Sequence, residues 1–394
     1  MRYEVNLYKT FSELLGEAAE KYSDDLFLED YDGKHTYGDL YNAVLGAASC
    51  LKKIPDRYIV LNIREQYAFA IIYFAAVLTG HVACLLPENH PISKYGESGY
   101  VIDDSEAKAL LTLSPIKAEE LPETDPEALC TIAFSSGTSS KNKGCVLSQR
   151  NLLHDARYSM MYFHYWRGER LVHMLPFWHL FGLVADLIGP IHYGCSLFVP
   201  KTAASFFKAM QYFRPHCINM PPALADTLCL MLGKNGDIGI TGGCLKKILC
   251  AGAPMNIQTA AKLMEFGILP CTAYGLTECS PCVAITPDSD VVLGTVGKVI
   301  PCADVKIEDG EILVAGTTVM LGYFEDDELT RRKITDGYFH TGDTGYFDTK
   351  GYLVITGRKD NMLTFGNGMK CMPEAVENRV NAVAGVKESM LRVG

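Results

Sequence analysis

Apolar positions recur at helical spacing early in the chain. Phe11, Leu14, Leu15 and Ala18 repeat every three or four residues, and Thr10 or Ser12 can cap the start, which predicts a helix over residues 11–22. The pattern repeats over 37–51, and the short apolar run 58–62 then reads as a buried strand. A helix over 67–78 ends at Gly80, a residue suited to a helix C-terminus, before a second strand at 82–86. Strand, helix, strand in this order predicts a parallel sheet covered by helices. Residues 114–127 are rich in Pro and Glu and read as a connecting loop. Helix and strand patterns resume from 148 to about 276, and beyond Val291 short alternating strands separated by tight turns mark a small, mainly β subdomain.

Length and charge narrow the classes. A chain of 394 residues exceeds one ordinary core, so two or three packed units are expected. With 21% charged and 48% hydrophobic residues it has the balance of a globular protein. A net charge of −10 without a basic block argues against nucleic acid as a partner. The apolar run 68–78 is too short to span a bilayer, and 171–190 is broken by His173, Pro176, His179 and Asp186, so no membrane span is expected. No secretory leader is read at residues 1–4, and several of the 14 cysteines lie in apolar runs, as reduced thiols of a cytoplasmic protein would. Cys279 and Cys282 form a lone C-x-x-C pair with no second pair to complete a zinc site.

The densest chemistry lies between Phe134 and Gly144. Five hydroxyl side chains (Ser135, Ser136, Thr138, Ser139 and Ser140), two lysines and two glycines fall within eleven residues. Hydroxyls, ammonium groups and unobstructed backbone N–H groups suit a polyphosphate, and they equally suit a polar surface hairpin. The nucleotide P-loop G-x-x-x-x-G-K-(S/T) does not fit, because Asn142 stands at its second glycine and Gly144 at its Ser/Thr. A strand rather than a helix is also expected to follow.

Ser136–Gly144 resembles instead the phosphate-binding loop of the adenylate-forming superfamily, which includes acyl-CoA synthetases, luciferases and nonribosomal adenylation domains. Its pattern S-G-T-(T/S)-G-x-P-K-G is matched apart from Ser140 and Asn142. Four further segments resemble that superfamily in the same order. Tyr274-Gly275-Leu276-Thr277-Glu278 matches Y-G-x-T-E, and Thr341-Gly342-Asp343 matches T-G-D. Gly357-Arg358-Lys359-Asp360 matches G-R-x-D, and Gly252-Ala253-Pro254 matches the G-A-P turn. Pro176-Phe177-Trp178-His179-Leu180-Phe181-Gly182 resembles the P-x-x-H-x-x-G segment of acyl- and aryl-CoA synthetases, and the stretches at 310–312 and 320–323 resemble parts that shape the β subdomain.

The resemblance implies an α/β fold: a large multi-layer N-terminal domain over 1–357 with a β subdomain near 291–357, then a hinge and truncated α+β C-terminal lid over 358–394. Only 34 residues follow Asp360, the implied hinge, and they contain no lysine in a matching terminal motif. The implied activity joins a carboxylic acid to ATP, releases pyrophosphate, and passes the acyl group to coenzyme A. Ser135, Ser136, Gly137, Thr138, Ser139 and Lys143 would hold the phosphates, with Thr277 at the α-phosphate and Glu278 on Mg²⁺. A single carboxylate suits Mg²⁺, which completes its shell with water and phosphate oxygens. Gly252, Ala253 and Pro254 would back the adenine, and Tyr274 beside Gly275 would stack on it. Asp343 and Arg358 would bind the ribose, and His179 would line the acid pocket. Two other functions fit the same residues: a non-catalytic nucleotide- or acyl-binding protein, and an adenylation module that loads a carrier protein.

Overall fold

Thr10 starts the first helix, Phe11–Tyr22, by accepting the Glu13 N–H at 3.3 Å. Phe11, Leu14, Leu15 and Ala18 are its buried residues, as their spacing predicts. Thr36 and Asp39 form a reciprocal capping box that opens the second, Tyr37–Leu51. The computed structural model describes residues 7–87, 99–113, 123–135, 143–235 and 238–361, with scattered residues between 363 and 391.

Two large sheets organise these helices. One has nine strands. Its parallel centre runs Leu269–Gly275, Lys247–Cys250, Cys217–Met220, Arg170–Val172, Ser196–Phe198 and Leu26–Glu29. Antiparallel strands finish both edges: Cys282–Ile285 with Lys298–Val299 on one side, and Lys34–Thr36 on the other. The other sheet has six strands. Tyr100–Asp103, Tyr58–Asn62, Val82–Leu85 and Leu129–Ser135 are parallel, and Lys143–Ser148 and Gly322–Tyr323 complete it antiparallel.

The helix Gln66–Leu78 lies in the core the sheets share, and every residue from Ala68 to Leu78 is buried. This explains an apolar run without amphipathic period: a helix enclosed on all sides has no polar face. The Tyr73 hydroxyl meets Thr131 Oγ1 of the six-stranded sheet at 3.1 Å, and Phe69 packs against Phe177, which follows a strand of the nine-stranded one. A separate apolar cluster on the nine-stranded sheet gathers the helices Phe206–Phe213, Pro222–Asn235 and Ile257–Glu265.

The β-rich region is a five-stranded antiparallel sheet of Ala303–Glu308, Glu311–Gly316, Ile334–Thr335, Tyr338–Phe347 and Leu353–Arg358. Asp309 and Gly310, both at positive φ, make the tight turn of its first hairpin. Lys298–Val299 pairs in the nine-stranded sheet, so the five-stranded sheet begins at Ala303.

Candidate active site

The singled-out segments gather at strand ends. Gly252–Pro254 is an exposed turn after Lys247–Cys250, leading to the helix Ile257–Glu265, which Asn256 caps. Tyr274 and Gly275 close the neighbouring parallel strand, and Thr277–Cys279 follows as one short 3₁₀ turn. Residues 173–182, with His179, leave the carboxyl end of Arg170–Val172 in the same sheet. Carboxyl ends of parallel strands are where open α/β sheets hold ligands.

The phosphate-loop residues Ser136, Gly137, Thr138 and Ser139 lie outside the described residues. Their flanks are described. Ser135 pairs with Lys143 across an antiparallel hairpin, so a strand follows the loop and the P-loop geometry does not apply. The strand Leu129–Ser135 also contacts the turn Thr277–Cys279, so the strand that enters the loop lies beside the turn that carries Glu278.

Glu278 is 9% exposed, and its Oε1 accepts the Tyr323 hydroxyl at 3.0 Å. Its backbone carbonyl accepts Met320 N–H at 2.9 Å, locking the turn to the strand pair that carries Tyr323. Lys143 Nζ lies 5.6 Å from the Tyr323 ring centre, so cation, phenol and carboxylate form one connected group. Burial and then the Glu278 charge raise the Tyr323 phenol far above its ordinary range, which keeps it a donor. Glu278 retains acceptor capacity for a cation bound to phosphate, so this single carboxylate fits Mg²⁺.

Gly275 has a steric reason. A Cβ there would stand 1.7 Å from the Pro281 carbonyl oxygen, as the chain doubles back into Cys282–Ile285. Within that return the buried Asp155 carboxylate accepts the Cys282 N–H at 2.7 Å. Cys279 and Cys282 are buried free thiols.

The second group centres on Asp343, 6% exposed. Its Oδ2 accepts the Tyr274 hydroxyl at 2.6 Å and its Oδ1 accepts Arg358 Nη1 at 2.8 Å. Asp343 and Arg358 are register partners on adjacent strands. Each carboxylate oxygen keeps a free lone pair, so two ribose hydroxyls can still be accepted in a fork. Burial, then the Asp343 charge and hydrogen bond, push the Tyr274 phenol well above its ordinary value. The T-G-D turn is held internally. Thr341 Oγ1 donates to Ile312 O at 2.7 Å and accepts Asp343 N–H at 3.0 Å, while Gly342 takes φ +74°.

Glu311 belongs to this group although its sequence reading was architectural. Its Oε1 accepts Gly342 N–H at 3.0 Å and its Oε2 accepts Lys359 Nζ at 2.7 Å. It thereby ties the irregular stretch Thr341–Asp343 of its strand to the residue before Asp360, which is exposed in the short turn Lys359–Asn361. Burial alone would raise the Glu311 pKa; the Lys359 ammonium, Gly342 N–H and His340 together outweigh it and hold the carboxyl below its ordinary value. Tyr323 was likewise read as a shaping residue. The signal for both was already present in the motifs at 310–312 and 320–323, without their partners.

His179 is solvent-accessible and its Nδ1 accepts the Phe181 N–H at 3.2 Å. Crowding by protein lowers its pKa through desolvation, so the neutral imidazole predominates at neutral pH. Gly182 next to it is required: a Cβ would lie 2.4 Å from Pro176 O.

A profile of the AMP-binding enzyme family matches residues 114–324. The chain belongs to that family. Among curated relatives of this AMP-binding chain, a long-chain-fatty-acid–CoA ligase of Mycobacterium bovis is 26% identical over 340 residues, covering 74% of this chain and 55% of its own. A 2-succinylbenzoate–CoA ligase of Bacillus velezensis is 28% identical over 397 residues, covering 90% and 79%. The chain thus spans about half the length of the first relative and four fifths of the second. The solved anthranilate CoA ligase AuaEII with anthranoyl-AMP superposes with a TM-score of 0.86 at 18% identity, over 98% of this chain and 84% of that one, a likeness of fold. No described helix is long and apolar enough to cross a membrane.

Proposed function

We propose that this chain activates a carboxylic acid. A carboxylate oxygen attacks the α-phosphorus of ATP, pyrophosphate leaves, and the acyl-adenylate then passes its acyl group to the thiol of coenzyme A with release of AMP. The observation that carries this reading is Asp343 held between Tyr274 and Arg358, with Glu278 a few residues beyond Tyr274 in a turn that contacts the strand Leu129–Ser135. That arrangement offers a ribose acceptor and a phosphate–cation site to one nucleotide.

In this reading Ser135, Ser136, Gly137, Thr138, Ser139 and Lys143 hold the triphosphate, and Thr277 the α-phosphate. Glu278 holds Mg²⁺, which when bound neutralises charge on the phosphates. Gly252, Ala253 and Pro254 back the adenine beside Tyr274 and Gly275. Asp343 and Arg358 take the ribose, Asp360 is the hinge, and residues 358–394 open a lid on a body of 1–357. His179 lines the acid site. The curated relatives named above carry acid–CoA ligase names, which supports the acid and the thiol acceptor.

The test is pyrophosphate release across a panel of carboxylic acids, followed by assay for acyl-CoA. Release that depends on acid and ATP, with steady acyl-CoA formation, is expected. ATP binding with no release for any acid would favour the non-catalytic binder, and release without acyl-CoA would favour a carrier-protein acceptor.

A further inference from the structure

Leu175–Phe181 crosses from the nine-stranded sheet toward the other half of the molecule, and a buried polar network meets it there. His173 and Asp186 are 4% and 1% exposed, and His173 Nδ1 lies 2.7 Å from Asp186 Oδ2. The other ring nitrogen, Nε2, lies 3.1 Å from Gln66 Oε1. Gln66 stands at the first turn of the central helix Gln66–Leu78, just beyond the strand Tyr58–Asn62 of the six-stranded sheet.

The Gln66 amide has one orientation. Its Nε2 donates to Arg64 O at 2.6 Å, and its Oε1 accepts Phe177 N–H at 3.0 Å. Turned over, it would set an NH₂ group against the Phe177 N–H. Nε2 of His173 therefore carries a proton toward Gln66 Oε1, and Nδ1 shares a proton with Asp186 Oδ2. The other carboxyl oxygen of Asp186, Oδ1, accepts Asn219 Nδ2 at 2.5 Å. Asn219 Nδ2 also meets Tyr165 OH at 2.7 Å, and that hydroxyl donates to Ala185 O at 3.0 Å. Buried polar groups joined in this way contribute a fixed geometry more than stability.

That geometry bears on the acid site. Phe177 N–H is pinned by the oxygen that faces His173 Nε2, and the His173 and Phe177 rings lie 4.3 Å apart. Trp178 and His179 come next in the chain. Gln66 and Trp178 also border one cavity of about 210 Å³, with Arg64 and Pro176 on its wall.

We propose that Gln66, His173 and Asp186 form a buried hydrogen-bonded clamp that fixes Leu175–Phe181 against the amino end of the central helix, and so sets where Trp178 and His179 stand toward the acid. These are positioning residues. The inference rests on the reading that His179 lines the acid site.

The test uses the full 394-residue chain. Nitrogen-15 spectra should show His173 Nε2 protonated, and Phe177 amide exchange should speed up at least about tenfold in Gln66→Leu and far less in Gln66→Glu, which keeps the acceptor. With an acid that the wild type activates, Gln66→Leu should raise the KM for acid about tenfold and leave the KM for ATP within about twofold. Gln66→Glu should recover most of that loss. The Gln66→Leu and His179→Ala effects should be strongly non-additive, because the first acts through the second. A bare His173 Nε2, unchanged Phe177 exchange, equal rises in both KM values, or additive effects would each overturn the clamp. The spectra and the exchange need no turnover, so absence of pyrophosphate release in the wild type would count against the proposed reaction alone and leave the clamp to be judged on them.

Discussion

At the residue scale, Glu278 and Asp343 carry separable duties. We predict that Glu278→Gln lowers acid-dependent pyrophosphate release by roughly 10²–10³ while the far-ultraviolet circular dichroism stays unchanged. Wild-type release by that variant would remove Glu278 from the site. Asp343→Ala should weaken ATP and AMP and spare inorganic triphosphate, since its proposed contact is the ribose; calorimetry with the three ligands separates these, and equal losses would reject the assignment. Gly275→Ala should cost fold as well as site, because a Cβ would meet Pro281 O at 1.7 Å. A lowered melting temperature together with lost ATP binding is the expected pair of results.

At the element scale, the amino ends of the parallel strands carry a charged group that no ligand-site argument uses. Lys247, at the start of Lys247–Cys250, donates to His164 O at 3.0 Å and Asp288 Oδ2 at 3.2 Å, and also to Phe163 O. It lies 3.4 Å from Glu169, whose carboxyl is fully buried and pushed up to about 8 by that burial, with the Lys247 charge pulling the other way. Removing the cation takes away the main group that favours the ionised form. Lys247→Met should therefore destabilise the chain by about 3–5 kcal/mol in urea unfolding, the range for breaking a buried pair. A loss below about 1 kcal/mol would mean that the pair is hydrated. This cluster lies at the opposite strand ends from Tyr274 and Gly275, so ATP binding by the folded variant should be unchanged.

For the whole molecule, Glu311 joins Gly342 to Lys359, the residue before the proposed hinge, and its folded pKa is depressed. The sign follows: the stabilisation is complete above the unfolded value of 4.5 and is lost as pH falls through the lower folded value. Melting temperatures measured from pH 7 down to about 3 should decline less steeply in Glu311→Gln than in the wild type. Identical slopes would show that Glu311 contributes nothing to acid sensitivity. ATP with Mg²⁺ at about 100 times its Kd should stabilise the folded chain by about 2.7 kcal/mol, seen as a raised melting temperature. Asp343→Ala should abolish most of that rise.

Local pattern was enough for the helices Phe11–Tyr22 and Tyr37–Leu51 and the strand Tyr58–Asn62, because spacing and caps act within a few residues. The motifs at 274–278, 341–343 and 357–360 were legible for the same reason, since each is a short contiguous stretch with its own chemistry. Their pairings were not legible. Tyr274 reaches Asp343 across 69 positions and Tyr323 reaches Glu278 across 45, and no local periodicity records which strands become neighbours. His173 and Asp186 looked like breaks in an apolar run, and Gln66 carried no signal at all, until two sheets closed on one helix and brought the three into contact. The sequence by itself determined the elements and the chemical groups they carry; tertiary structure decided which groups meet, because burial between two sheets makes a lone polar side chain costly and a matched one specific.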